Sequence, residues 1–78
     1  MKTLAQQFGE YVRERRRSKG LSQVVFAEQC GFYQTYLSRI ETGKANPTLN
    51  AMVVISGALG VTIFDVFDDI KARADRAY

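Results

Sequence analysis

Apolar residues recur along this chain at helical spacing and are interrupted by glycine, and no stretch alternates as a half-buried strand would. Leu4, Phe8 and Val12, joined by Tyr11, make one stripe over roughly Thr3 to Ser18, and Gly20 stops that helix. Ser22 is placed to cap a second helix that runs to about Cys30 and buries Phe26, Cys30 and one of Val24 or Val25. Gly31 ends it in a turn that favours positive φ. A third helix is expected from about Tyr33 to Thr42, closed by Gly43. The fourth starts near Thr48 and turns Leu49, Met52, Ile55 and Leu59 inward before Gly60. Thr62 caps a fifth, which begins near Ile63 and frays in the polar tail KARADRAY. The pattern predicts an all-α fold of about five helices in one domain over residues 1–78.

Composition narrows the function classes. The chain has 78 residues, 46% hydrophobic and 24% charged, as in a globular domain and unlike a disordered tail. A domain of this size buries a modest share of its surface, so self-association is a natural source of stability. Net charge is +3, which permits a polyanion partner, and Arg13, Arg15, Arg16, Arg17 and Lys19 crowd into one segment. The lone Cys30 rules out an internal disulfide and, without any His, leaves no metal site. No cofactor is expected. An enzyme is disfavoured, because no catalytic constellation is suggested by the remaining carboxylates, Ser, Tyr and Lys. No apolar run has membrane-spanning length and the N-terminus lacks a signal-peptide core, so a cytoplasmic location follows by default and no membrane contact is expected.

The third helix carries the chemistry. At about 100° per residue, Tyr36, Leu37 and Ile40 fall on one side, which must be the buried one. The opposite side presents Thr35, Ser38 and Thr42, flanked by Gln34 and Arg39. Small hydroxyls allow close approach to base edges in a major groove, and Gln and Arg at the margins offer the paired donors and acceptors that discriminate adenine and guanine. Gln34, Thr35, Ser38 and Arg39 are the candidates for base contact. The plain alternative is an ordinary solvated helix face; the preceding short helix and tight turn favour DNA. Gln23, in the first turn of the second helix, is placed for a phosphate oxygen, where free N–H groups and the helix dipole favour an anion. Lys44 and Asn46 follow in a loop that reaches the backbone beside the groove or simply solvates it. Arg13 and Arg17 form a basic ridge, either for the DNA backbone or, the favoured reading, as a solvated face paired with Glu10 and Glu14.

Gly-Leu-Ser-Gln at 20–23, Leu37-Ser38-Arg39-Ile40-Glu41, Gly43-Lys44, Asn46-Pro47-Thr48 and Leu59-Gly60-Val61 together resemble the Xre/Cro/phage-repressor helix-turn-helix family, over about residues 8 to 67. The resemblance implies a lambda-repressor-like fold and is similar to the small controller proteins of restriction–modification systems. It further implies that the start of helix three reads bases, that Gln23 binds phosphate, and that Arg16 pairs with Glu41 as a structural ion pair and not a DNA contact. Two departures stand out. Arg15 occupies a position where many relatives have Leu, and Tyr33 replaces the usual Ser or Asp cap of helix three. A phenol cannot cap as a short oxygen does, so Tyr33 either reaches a phosphate or packs over helix two, and Tyr33 and Tyr36 are counted as candidates for the phosphate backbone.

A single helix-turn-helix reads too few base pairs to find one operator among many competing sites, which calls for a two-fold homodimer on double-stranded DNA. IFDVF at 63–67 holds more apolar groups than one stripe can bury, and Phe64 falls away from Val66 and Phe67. Val61, Phe64 and Phe67 are therefore the expected dimer interface, against the alternative that Phe64 packs back near Leu4 and Phe8. The expected function is a transcriptional regulator on an inverted-repeat operator, blocking RNA polymerase or recruiting it. An antitoxin-type protein is the second reading, although such proteins carry added sequence for their toxin and the tail here is short. With no separate ligand domain, no small-molecule ligand is expected.

Overall fold

The computed structural model describes residues 1–77 and holds five helices among them: α1 (Leu4–Ser18), α2 (Gln23–Cys30), α3 (Gln34–Glu41), α4 (Leu49–Ala58) and α5 (Ile63–Ala77). Local chemistry sets most of the boundaries. Thr3 and Gln6 exchange side-chain and backbone bonds of 2.8 and 3.1 Å in a capping box at the start of α1. Ser22 accepts from the Val25 N–H and Thr48 from the Ala51 N–H, capping α2 and α4. Thr62 and Asp65 form a second reciprocal pair at α5, which holds the Asp65 carboxyl below its usual range through the Thr62 backbone N–H first and its hydroxyl second. Gly31 takes φ 74° at the turn between α2 and α3, a conformation other residues adopt at a cost. Tyr33 stands at the N-cap of α3 and makes no side-chain cap bond.

The core is a single cluster. Phe8, Tyr11 and Val12 of α1, Phe26 of α2, Leu37 and Ile40 of α3, Ile55 of α4 and Val66 of α5 are all nearly or wholly buried. α3 packs against α1 and α2, so its inner face is held from two directions. The α1–α3 crossing depends on Gly9: a Cβ there would run into the carbonyl oxygens of Ile40 and Glu41 at the end of α3. Only a residue without a side chain lets the two backbones approach this closely.

Several positions expected inside lie outside. Leu4 is 58% exposed, because the first turn of α1 has little to pack against. In α2, Phe26, Ala27 and Cys30 define the inner stripe of a two-turn helix, and Val24 and Val25 lie more than about 100° from its centre, exposed. Leu49, at the first position of α4, is likewise exposed while Met52, Ile55 and Leu59 turn inward. Within the described residues the tail does not fray either; Tyr78, the last residue of that tail, lies outside them. α5 continues to Ala77 because α1 anchors it: Ile70 is buried, Tyr11 donates its hydroxyl to Asp69 at 3.0 Å, and Arg73 pairs with Glu14 at 2.6 Å. Burial, then the bond to Asp69, push the Tyr11 phenol above its ordinary pKa, and the guanidinium of Arg73 lies 5.2 Å from its ring.

The basic ridge also differs from the expected pairing. Glu10 is taken by Lys2 and Glu14 by Arg73, so among the described residues neither acid pairs with Arg13 or Arg17, both exposed. Arg15, where the resemblance led to Leu, is half-buried with its guanidinium 5.9 Å from the Tyr11 ring. No single helix among the described residues is long and apolar enough to cross a membrane.

Candidate nucleic-acid interface

The outer face of α3 is open. Gln34, Thr35, Arg39 and Thr42 are exposed and Ser38 is half-buried, while Leu37 and Ile40 are sealed against α1 and α2. Four of these five side chains carry hydroxyl or amide groups, and Thr42 turns its hydroxyl back to the Ser38 carbonyl at 2.9 Å. Ser38 thus occupies the middle of a face whose polar groups project no further than one or two bonds, flanked by the longer Gln34 and Arg39. A helix of this profile can lie deep in a major groove with the long residues reaching base edges at its sides.

The turn side of that face is aromatic. Tyr33 is 83% exposed at the α3 N-cap, and Tyr36, half-buried, meets Phe32 edge-to-face with ring centroids 5.2 Å apart. Phe32 drew no attention in the sequence, yet it steadies Tyr36 from the turn. Beyond α3, Lys44 and Asn46 are exposed in the loop. Arg39 donates to the Lys44 carbonyl at 3.3 Å, a long bond that leaves most of its guanidinium donors free.

Beneath the face lies a buried ion pair. Arg16 Nε and Nη2 donate to the two carboxylate oxygens of Glu41 at 2.7 and 2.9 Å, and its Nη1 donates to the Leu21 carbonyl at 2.7 Å. Both residues are buried, Glu41 to 3% and Arg16 to 6% exposure. The bond to Glu41 raises the Arg16 pKa above its ordinary value against the opposing pull of desolvation. This geometry joins α1 to the last turn of α3 with each of the three guanidinium nitrogens donating one bond.

Gln23, expected to face a phosphate, is half-buried and tied inward: its Nε2 donates to Glu41 Oε1 at 3.0 Å, and its Oε1 accepts from Gln34 Nε2 at 3.2 Å. One N–H of the Gln23 amide remains for an outside acceptor. The link from Gln23 to Gln34 crosses the turn and could not be read from spacing.

A second open surface lies between α4 and α5. Phe64 is 76% exposed and borders an apolar cleft between α4 and α5 with Leu49, Val53, Val61, Ile63 and Phe67. The packing onto α1 considered for Phe64 is made instead by Phe67, whose ring centroid lies 6.4 Å from that of Phe8. Val61 and Phe67 are half-buried, so each gives part of its surface to the core and part to the cleft.

Comparison with known proteins agrees with this arrangement. A family model described as helix-turn-helix, HTH_3, matches residues 12–66, from within α1 to the first turn of α5. The chain is 42% identical over 65 residues to the control protein C.MunI of Mycoplasma sp, covering 82% of this chain and 88% of that one. It is 44% identical over 62 residues to the control protein C.BamHI of Bacillus amyloliquefaciens, covering 78% and 76%. Among solved structures, the restriction-modification controller protein C.AhdI from Aeromonas hydrophila superposes with a TM-score of 0.76 at 31% identity, over 80% of this chain and 94% of that one. The exposed polar α3, the glycine turn behind it and these matches place the chain in the HTH_3 helix-turn-helix family of Xre/Cro-type transcriptional regulators.

Proposed function

We propose that the protein binds an inverted-repeat operator as a homodimer, each protomer laying α3 in the major groove, and that it serves as the control protein of a restriction–modification system. The observation that carries the reading is the outward polar face of α3, with Gln34, Thr35 and Arg39 all accessible. In this reading Gln34, Thr35, Ser38 and Arg39 meet base edges. Gln23 (through its remaining N–H), Tyr33, Tyr36, Lys44 and Asn46 meet phosphates. Arg16 and Glu41 hold the fold.

Dimerisation follows from affinity and from the exposed cleft. One α3 offers a few base contacts, each good bidentate pair giving about 1–3 kcal/mol of discrimination, and two copies on one face of DNA double the site read. Val61, Phe64 and Phe67 border the surface that would be shared, with Phe64 the side chain most costly to leave in water. The control-protein role is supported by the relatives, whose lengths this chain matches over most of their extent. Bound near a promoter, the dimer acts on RNA polymerase by occlusion or by contact.

Selection of binding sites from random duplex DNA at several salt concentrations tests this. The expected result is an inverted repeat with half-site centres about one helical turn apart and an affinity that falls steeply with salt. Recovery of no motif, or of a single asymmetric half-site, overturns it.

A further inference from the structure

The bonds that join the buried ion pair to the recognition helix run in one direction, and what each group can donate sets that direction. Glu41 accepts at both oxygens from two N–H groups of Arg16. The Gln23 amide, 3.0 Å from Glu41 Oε1, must therefore present its NH2 end to the carboxylate. Its carbonyl end is left to meet Gln34 at 3.2 Å, and a carbonyl oxygen only accepts, so Gln34 must offer NH2 in turn. With one N–H committed, Gln34 holds toward solvent a carbonyl oxygen and a single remaining N–H, in a set order. An acceptor beside a donor is the complement of adenine N6 and N7 in the major groove, whereas guanine offers two acceptors there.

We propose that Arg16 and Glu41 are positioning residues for base readout: by fixing which end of the Gln23 amide faces outward, the buried pair fixes the amide orientation of Gln34 and biases the base pair it meets toward adenine. The proposal rests on operator binding as described above and gives a second task to a pair otherwise serving the fold. Gln34 is exposed and sits at the first position of α3, so an untethered side chain would sample several rotamers and both amide orientations. Ordering it on the DNA would then weaken binding, and the relay removes that loss in advance.

Two variants test the relay at single-base-pair resolution. Arg16→Met with Glu41→Met replaces the pair by apolar groups of similar volume, a change that buried ion pairs often tolerate. Gln23→Met breaks the middle link and leaves the buried pair whole, so it decides the matter even where the first variant does not fold. The readout is affinity for the selected operator against operators altered at the base pairs that Gln34→Ala affects, with other base pairs as the internal control. Both variants should lose about 3- to 10-fold of discrimination at the Gln34 base pairs and keep it elsewhere. Adding Gln34→Ala to either should cost less discrimination than it does in the native chain. Gln23→Met should also weaken every site to a common degree through its lost phosphate contact. If Gln34→Ala relaxes its base pairs while Gln23→Met only weakens all sites alike, the relay is overturned and operator binding stands. A native chain that selects no sequence removes operator binding and the relay together.

Discussion

The two open surfaces of this small domain differ in what they leave unsatisfied. The outer face of α3 exposes hydroxyls, amides and a guanidinium, groups that water serves well and that a base edge serves as well only in one geometry. The cleft between α4 and α5 exposes Leu49, Val53 and Phe64, which no geometry of water serves. The first surface can therefore wait open in solution, and selectivity is its natural product. The second gains whenever it is covered, almost regardless of detail, and association is its natural product. Underneath, the contrast lies in the bracing: both surfaces rest on the same apolar core, and α3 is held in addition by a buried ion pair and the close Gly9 crossing. Precision is spent where the partner must be discriminated.

That contrast can be broken most violently from beneath α3. Arg16→Ala leaves Glu41 buried without a cation, a change of about 3–5 kcal/mol, and a domain of this size should then melt on the order of 15 °C lower. Thermal unfolding at matched protein concentration reads it, and a melting temperature within roughly 2 °C of the native chain would dissolve the distinction between a braced and an unbraced surface. On the cleft side, Phe64→Asp should leave the protomer folded and raise the dimer dissociation constant by about thirtyfold or more. Sedimentation of an unaltered dimer would assign self-association to another surface.

Smaller effects sharpen the division within α3. Arg39→Ala should relax preference at its own base pairs by about 1–3 kcal/mol if its contact is bidentate, with little change in melting. Site selection with the variant checks this, and an unchanged motif would make Arg39 a loop tether through Lys44 only. The smallest effect lies at the foot of α5. Asp65 has its pKa depressed by Thr62, so its contribution to stability is present above the unfolded aspartate value and is lost as pH falls through the lower folded one. Asp65→Asn should flatten the acid limb of the melting profile below about pH 4 and leave neutral operator binding unchanged. A variant whose acid limb matches the native one would show that the Thr62 bonds contribute nothing in solution.

The legible parts of the fold were those whose cause is local in the chain. Ser22, Thr48 and Thr62 announce helix starts because a cap acts within three residues, and Gly31 announces the turn because its backbone demands it. The polar face of α3 was legible for the same reason: helical periodicity alone puts Thr35 and Ser38 opposite Leu37 and Ile40. Where a partner decides, the sequence misled. Val24, Val25 and Leu49 are apolar enough to be core residues, yet each stays exposed outside the core. The polar end of α5 looked free because its anchors, Tyr11 and Glu14, are far away along the chain. Gly9 gave no signal, since a missing side chain leaves no pattern. The link between Gln23 and Gln34 required knowing how α2 and α3 cross.

Methylation protection on the selected operator tests the central claim most directly, because dimethyl sulfate marks guanine N7 in the major groove and adenine N3 in the minor groove. With α3 seated as described, guanine N7 positions should be protected in two symmetric clusters about 34–36 Å apart, while adenine N3 within those clusters stays reactive. Protection of adenine N3 with guanine N7 left open would place the protein in the other groove and contradict the account.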